Sequence, residues 1–329
     1  MRRVLVAVLL APALAHADSS VTVTLNAQGQ QLAQQFGQSE QQMIDKVKAG
    51  IDSIYQTAHI QGLLRAFANT AAFADRTLGV AYLVDRDDIL VGVSALGALS
   101  SDAALGTGTF VGGAIVNLGV TAGVNLGRWD HPAWTVFANG FYESQTVHGL
   151  DGHLTSTGLH VQRKVVPAGE RWTGVDVTSG LEYARWTVGE AMPIHTHFTV
   201  TGATSSQKKT IDYLAQGTLD VRADTYTIPV EVTTGVLVGA LGLYGGGGLD
   251  LTLGSSDINA VLDGGLTVNA DMEPIGTAHI TASGHDGPSP VSAHALAGIE
   301  LHTRHVRFYV QGAIAPSQEA VTLGLRIAP

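Results

Sequence analysis

The sequence contains few side-chain arrangements that could support catalysis or metal binding. His195 and His197 are two residues apart, so they would share one face of a β-strand and could offer two ligands to a metal ion. No third ligand stands within reach of this pair in the sequence, and His294, His302 and His305 are similarly scattered. Histidines at a surface or in a lumen are therefore the simpler interpretation. We predict no metal and no other cofactor.

Nucleophile and phosphate-binding motifs are equally weak. Ser94 lies within residues 92–97, which do not form the Gly-x-Ser-x-Gly turn of many hydrolases. A Ser-His-Asp site stays open in principle because such triads are assembled in space. The glycine run at residues 245–248 lacks the lysine and the helix start of a phosphate-binding loop. We therefore predict no catalytic residue.

Charged residues instead follow the alternating pattern of β-strands. Between residues 211 and 233 apolar and polar side chains alternate, which is the period of a strand with two different faces. A charge facing lipid near the middle of a membrane would cost about 2–4 kcal/mol, so in a barrel the charged faces should line the lumen. The residues predicted to face the lumen are Glu182, Asp220, Arg222, Asp224, Glu231, Glu300, Arg307 and Arg326. Their mixed signs indicate either an ion-pair network that closes the barrel or the lining of a polar channel.

The C-terminal residues 304–327 show the same alternation in two strands joined by a short polar turn at residues 316–318, which predicts a hairpin. One face of this hairpin is apolar and would meet lipid. The residues predicted to face lipid are Val306, Phe308, Val310, Val321, Leu323, Leu325 and Ile327. The last strand should close the barrel by pairing with residues 78–84.

The N-terminus has the three parts of a secretory signal peptide. Two arginines follow Met1, an apolar run covers residues 4–15, and a small-x-small site ends at Ala17. We expect residues 1–17 to be removed, residues 18–75 to form a helical segment and residues 76–329 to form the barrel. The sequence contains no cysteine, which excludes disulfides and a lipid-modified N-terminal cysteine.

Composition supports a membrane β-barrel. After removal of the signal peptide 16 basic residues face 28 acidic ones, a formal charge of −12 that argues against nucleic acid as a partner. Charged residues are only 14% of the chain, against about 25% in ordinary soluble domains. No segment beyond the signal peptide offers the roughly 20 uninterrupted apolar residues of a spanning helix. The fold class predicted is all-β, an antiparallel transmembrane β-barrel of about 14 strands, within a range of 12–16.

Residues 26–74 form the helical part of the prediction. Apolar residues such as Leu32, Phe36, Met43 and Val47 recur at spacings of three, four or seven, which is one stripe of an α-helix. Gly37 and other glycines indicate bends or helix boundaries. This segment could be a packing or assembly element in the periplasm, or a plug folded into the lumen.

The combination of signal peptide, helical segment and alternating strands resembles outer-membrane β-barrel proteins of Gram-negative bacteria. Residues 62–68 and 71–75 also look like the segment before the first strands of FadL-type transporters of hydrophobic compounds. That resemblance implies 14 strands and an N-terminal hatch. The last strand looks like the assembly signal of outer-membrane barrels, although the chain ends Ile327-Ala328-Pro329 instead of in an aromatic residue.

The function expected is that of a non-enzymatic outer-membrane barrel, either a pore or transporter or a structural protein. Its partners would be outer-membrane lipid, the outer-membrane assembly machinery and, for a channel, small solutes. Three alternatives stay open: a secreted or periplasmic soluble β-protein, a FadL-like transporter of hydrophobic compounds, and a barrel enzyme of the outer membrane.

Overall fold

The structure is a computed structural model. It describes residues 16–57, 60–74, 89–100, 114–147, 150–202, 204, 208–268 and 273–327. The three α-helices are α1 (Ala27–Gln35), α2 (Glu40–Thr57) and α3 (Ile60–Phe73). The strands are β1 (His16–Leu25), β2 (Ile89–Ser100), β3 (Ala114–Asn125), β4 (Trp134–Val147), β5 (Leu150–Val166), β6 (Trp172–Thr201), β7 (Lys208–Val238), β8 (Leu241–Val268), β9 (Glu273–Asp286), β10 (Val291–His302), β11 (Val306–Ala315) and β12 (Gln318–Ile327).

All twelve described strands belong to one antiparallel sheet, and ten of them close into a ring. The order around the ring is β2-β3-β4-β5-β6-β7-β8-β10-β11-β12, and β12 pairs with β2 again. Strands β9 and β1 branch from β8 outside the ring. Closure satisfies the edge hydrogen bonds that a membrane could not hydrate. The predicted fold class, an antiparallel transmembrane-type β-barrel, is confirmed.

The sheet has twelve described strands, within the predicted range of 12–16. Ten of them close the ring, fewer than the 14 implied by the FadL-type resemblance, because long runs such as β8 continue as single strands. The predicted hairpin is present as β11 and β12, joined by two residues. Strand β12 closes the ring against β2, with Ile327 opposite Val91. The predicted partner, residues 78–84, lies outside the described residues.

The outer surface of the ring is apolar, and the inner surface is polar. On β7 the exposed outward residues are Ile228, Val230 and Val232, whereas the inward Thr227 and Glu231 are buried. The seven residues predicted to face lipid all lie on the outer side of β11 and β12. This arrangement is the one expected of a barrel in a bilayer, with apolar side chains outside and polar ones inside.

Exposed aromatic residues lie near both ends of this apolar surface. Tyr226 and the half-buried Tyr183 contact each other across β6 and β7 at one end, with ring centroids 4.9 Å apart and the rings tilted by 38°. Trp172 starts β6 at the other end, 11 residues before Tyr183. At about 3.3 Å per residue and a tilt of roughly 40°, this spacing corresponds to about 28 Å along the barrel axis, which fits the hydrophobic band of outer-membrane barrels. We call the end near Tyr183 and Tyr226 the tyrosine rim, and the end near Trp172 the tryptophan rim.

Three strands continue beyond the tyrosine rim and form a second sheet. The outer parts of β6, β7 and β8 are joined there by β9 and β1, in the order β6-β7-β8-β9-β1. We call these five segments the extension sheet. Helices α1 and α2 cover its inner face through a shared apolar core that includes Met43, Val47, Ile211 and Leu266.

The predicted helical segment is therefore present as three helices with recognisable boundaries. The Asn26 side chain accepts hydrogen bonds from the N–H groups of Gln28 and Gly29 and caps α1. Gly37, at a φ of 63°, separates α1 from α2, because glycine takes this left-handed conformation without steric cost. In the part of the chain that the structure describes, no helix has both the length and the hydrophobicity to cross a membrane.

Placing an arginine on the outer surface tests whether this surface meets lipid. We expect Leu323→Arg, near the middle of β12, to lower the free energy of unfolding by about 2–4 kcal/mol in lipid vesicles, because a guanidinium near the midplane is poorly solvated. Urea titration followed by tryptophan fluorescence measures the loss. Thr218→Arg, on the outer face of the extension sheet, is the matched control and should change stability by under about 0.5 kcal/mol. Equal effects of the two variants would contradict a lipid-facing surface.

Candidate functional site

The lumen near the tryptophan rim holds a charged cluster around Glu300. Arg326 Nη1 donates to Glu300 Oε2 at 3.4 Å, and His302 Nε2 lies 3.0 Å from Glu300 Oε1. Arg307 Nη1 stands 3.8 Å from the same carboxylate. The guanidinium of Arg326 also stacks on the Tyr309 ring at 4.4 Å. Glu300 and Arg326 are almost completely buried, so this cluster joins β10, β11 and β12 inside the ring.

A second buried cluster is centred on His294. Its Nδ1 lies 2.8 Å from Asp250 Oδ2, and its Nε2 lies 3.1 Å from Glu231 Oε1. The side chain of His294 is fully buried, and the ring of Phe73 at the end of α3 meets it edge-on at 6.3 Å. These contacts join β7, β8 and β10 below the helix.

A third cluster lines the opposite wall of the ring. His160 Nε2 lies 2.9 Å from Asn139 Oδ1 and 3.6 Å from Glu182 Oε1, while Phe137 stacks on the imidazole at 4.7 Å. Buried polar groups paired in this way are costly to separate, because removing one partner leaves the other unsatisfied in a low-dielectric interior. The three clusters therefore fix one packed arrangement of the lumen.

Above the polar clusters, an apolar layer occupies the lumen at the tyrosine rim. Leu64, Phe67, Ala68 and Ala71 of α3 belong to one buried core with residues from nine of the ten ring strands. Phe67 stacks on Trp186 of β6 with ring centroids 3.7 Å apart. Helix α3 thus packs inside the ring at this level.

Polar contacts fix α3 to the connection between β9 and β10. Arg65 Nη2 donates to Asp286 Oδ2 at 3.1 Å. The N–H of Ser289 donates to Asn69 Oδ1 at 2.8 Å, and the Asn69 amide lies 3.4 Å from the Ser289 hydroxyl. We call these contacts the α3 latch.

On the outer surface, just beyond the tyrosine rim, Asp224 organises a different constellation. Arg185 Nε donates to Asp224 Oδ1 at 2.6 Å, and Arg222 Nε donates to Asp224 Oδ2 at 2.5 Å. The Tyr183 hydroxyl donates to Oδ1 at 2.9 Å. Partial burial opposes ionisation of Asp224, but these three hydrogen bonds outweigh it and hold the pKa of the carboxyl below its ordinary value. The carboxylate therefore stays charged between the two arginines, and we call this group the arginine pair.

The charged residues predicted to share the lumen divide between two surfaces. Glu182, Glu231, Glu300, Arg307 and Arg326 lie inside the ring and take part in the contacts above.

For Asp220, Arg222 and Asp224 the prediction is corrected, because they lie on the outer face of the extension sheet beyond the membrane band. Their even-numbered positions on β7 are outward, as for Ile228 and Val230, and there they meet water. The sequence carries a signal for this: apolar positions change from odd numbers at Val221 and Ala223 to even numbers from Tyr226 onward.

The remaining candidates form no reaction centre. His195 and His197 are exposed on β6, and His195 Nε2 lies 3.7 Å from Asp212. Ser94 is buried on the inner face of β2, opposite Gly324. Within the described ranges no group of three or more metal-ligating side chains could hold an ion. Sequence reasoning missed the arginine pair, because Arg185 and Arg222 are 37 positions apart and meet only through the pairing of β6 with β7.

The closed antiparallel ring, the apolar outer surface and the polar interior define an outer-membrane β-barrel protein. A family model matches residues 11–328, and the chain belongs to the Lsa36-like family. The comparison with curated proteins finds no match.

Solved structures of outer-membrane barrels match at low identity. The outer membrane protease OmpT of Escherichia coli is 10% identical with a TM-score of 0.41, over 74% of this chain and 97% of that one. The translocator domain of the autotransporter NalP from Neisseria meningitidis is 13% identical with a TM-score of 0.32, over 84% and 98% of the two chains. The KdgM porin is 6% identical with a TM-score of 0.29, over 72% and 99%.

Removing one charge from the Glu300 cluster tests how strongly the lumen depends on it. We expect Arg326→Ala to lower the free energy of unfolding by about 3–5 kcal/mol, because Glu300 keeps its burial but loses its main counter-ion. The shift of the urea midpoint in vesicles measures this. Arg304→Ala, an exposed residue of the turn between β10 and β11, is the control and should have little effect. Adding Glu300→Gln to Arg326→Ala should recover part of the loss; no recovery would show that the two residues act independently.

Proposed function

We propose that this protein is a closed, non-enzymatic barrel that anchors the extension sheet at the outer surface of the bacterium. The observation that carries the proposal is the position of α3, whose apolar side chains belong to one buried core with residues from nine of the ten ring strands. We expect a helix packed in this way to leave no continuous path of water at that level. The polar clusters below it are paired within the lumen, which favours an ion-pair network over the lining of a channel.

The outer surface supports location in a membrane over the soluble alternative. Large apolar side chains are exposed on every strand of the ring, among them Val93, Leu118, Leu181 and Leu323. A soluble protein rarely exposes continuous apolar patches above a few hundred Å², and a belt around a whole barrel greatly exceeds that. Outer-membrane lipid is the partner that fits it.

The orientation follows from the lengths of the connections. At the tryptophan rim the connections have two to eight residues, as at 239–240 and 126–133, whereas beyond the tyrosine rim β6, β7 and β8 continue into the extension sheet. Outer-membrane barrels carry short turns toward the periplasm and longer segments toward the cell surface. The extension sheet with α1 and α2 would then face the medium. Insertion by the outer-membrane assembly machinery stays a prediction.

A non-enzymatic role is supported by the burial of the chemically capable groups. The histidine and carboxylate groups of the lumen, such as His294 and Glu231, are buried in mutual contacts beneath α3. A substrate would have no access to them while the helix is in place. Access to these groups therefore depends on the packing of α3.

Planar-bilayer recording tests closure directly. We expect the full chain, reconstituted after removal of its signal peptide, to show no discrete current steps in 1 M KCl at moderate voltage. A general porin in the same bilayers confirms that insertion is detectable, and protease protection of the strands confirms that this protein has inserted. Reproducible single-channel steps from the unmodified chain would overturn the proposal of a closed barrel.

A second candidate function, a pore with a displaceable plug, is favoured by the α3 latch. Its Arg65 side chain is 49% exposed whereas that of Asp286 is 4% exposed, so solvent screens the Arg65–Asp286 contact from the arginine side. Packing of Phe67 on Trp186 is the stronger constraint, and its loss costs about 3–5 kcal/mol on the scale of buried phenylalanine truncations.

Weakening these contacts distinguishes the two functions. In the double variant Arg65→Ala/Phe67→Ala we expect α3 to detach before the ring unfolds, with a red shift of Trp186 fluorescence at low urea. Current steps that appear only in this variant would identify a displaceable plug. Continued silence, despite the fluorescence change, would show that the polar clusters close the lumen without the helix. Lys48→Ala on α2 is the control.

A further inference from the structure

The arginine pair presents two guanidinium groups with unused donors. Arg185 and Arg222 each spend only Nε on Asp224, and within the described residues their terminal Nη groups form no ion pair or hydrogen bond. Their side chains are 47% and 52% exposed. A guanidinium carries five N–H donors in a rigid fork, so a carboxylate on Nε fixes the plane and leaves the far edge available for a second oxyanion.

Asp224 gives this pair its geometry. One carboxylate holds both guanidinium groups, and the Tyr183 hydroxyl bonds the same oxygen as Arg185. Arg185 also lies over the Tyr183 ring at 5.9 Å, which restricts its side chain further. The pair with its carboxylate keeps one net positive charge. Two ordered forks beside each other suit an anion with several oxygens, above all a phosphate.

The surrounding charges place this anion on the membrane side. Across the sheet, the row of Arg185 and Asp224 comes directly after Tyr183 and Tyr226, at the level where headgroups begin. Asp151 and Asp220 lie further from the membrane, on the far wall of a groove of about 700 Å³ lined also by Arg222 and Asp224. Asp257 stands opposite Arg222 across the sheet, but its Oδ1 is already bonded to His285 at 2.7 Å. A phosphate approaching from the membrane would meet Arg185 and then Arg222, and one approaching from the medium would first pass Asp151 and Asp220.

We propose that Arg185 and Arg222, held by Asp224 at the tyrosine rim, bind a phosphate group on the headgroup of a phosphorylated glycolipid in the outer leaflet. The tyrosines would contact the base of the same headgroup, and the groove would receive its sugars, because carboxylates and the hydroxyl and amide groups of Ser255 and Asn259 hydrogen-bond sugar hydroxyls. The site is on the outside of the barrel, so it does not depend on whether the lumen is closed.

Native mass spectrometry of the detergent-solubilised full chain tests this. Lipid A, a bisphosphorylated glucosamine lipid, is titrated against the unmodified protein and against Arg185→Gln/Arg222→Gln. We expect the double variant to bind about tenfold more weakly, the size of one or two lost charge-assisted hydrogen bonds. Arg171→Gln/Arg304→Gln removes two positive charges from the tryptophan rim and should bind as the unmodified protein does. Unfolding on heated and unheated gels checks that each variant is folded.

A lysine variant separates geometry from charge. Arg185→Lys/Arg222→Lys keeps both charges but cannot bond Asp224 and present a free fork at once, so it should bind at least threefold more weakly than the unmodified protein. It also tests the site if the glutamine variant does not fold. Equal binding by the lysine variant would overturn the proposed geometry, and equal binding by a folded glutamine variant would overturn the site.

Three further titrations identify the source of the phosphate. Dephosphorylated lipid A should bind about as weakly to the unmodified protein as lipid A binds to the glutamine variant. Phosphatidylglycerol should bind without dependence on Arg185 and Arg222, because it lacks the sugars that the groove accepts. Displacement of lipid A by 10 mM inorganic phosphate, or equally tight arginine-dependent binding of phosphatidylglycerol, would overturn recognition of a glycolipid.

Discussion

In the membrane a strand must be apolar on its outer face, and beyond the membrane it must be polar there. Strands β6, β7 and β8 cross this boundary at the tyrosine rim, where the apolar residues change from the outer face to the inner face. Below the rim Ile228 and Val230 point out toward lipid while Thr227 and Glu231 point in. Above it Arg222 and Asp224 point out toward water while Val221 and Ala223 point in. Side chains keep alternating between the two faces across the tyrosine rim, so only the residue types on each face change there. An inward apolar face then needs a cover, and the three helices supply it.

The two layers of the lumen follow from the same constraint. Inside the membrane band the inward residues are polar, and pairing compensates their removal from water. Glycine contributes to this packing at two places. A Cβ on Gly324 would come within 2.0 Å of the Tyr309 ring, and one on Gly298 within 2.2 Å of the Tyr244 ring. Each ring therefore lies flat over a glycine backbone, which brings Tyr309 against Arg326 and lets the Tyr244 hydroxyl donate to Gln311 at 3.0 Å.

Alternation, low charge and the lack of a long apolar segment were sufficient to predict the barrel, its C-terminal hairpin and the helical segment. The sheet has the predicted range of strands, but the ring has only ten, because β6 and β8 cross the rim without interruption where a change in composition had indicated the end of a strand. For the same reason Asp220, Arg222 and Asp224 were predicted on the wrong surface. Their charge was taken to indicate the lumen, although the apolar residues on this strand change there from odd-numbered to even-numbered positions. Contacts such as Phe67–Trp186 or Arg185–Asp224 join residues far apart in sequence and depend on register, which alternation does not specify.

The tyrosine rim is the place where these constraints meet, because the same short strand segments hold the helix on one side and the arginine pair on the other. On β6, Trp186 stacks on Phe67 inside while its neighbour Arg185 bonds Asp224 outside. On β7, Ala223 packs against the core of α3 between the outward Arg222 and Asp224. A slip of either strand by one residue would exchange these sets and expose apolar residues to water while charges entered the core. The inner and outer contacts therefore fix the same register, and this explains how three strands can leave the membrane here without losing the closure of the ring.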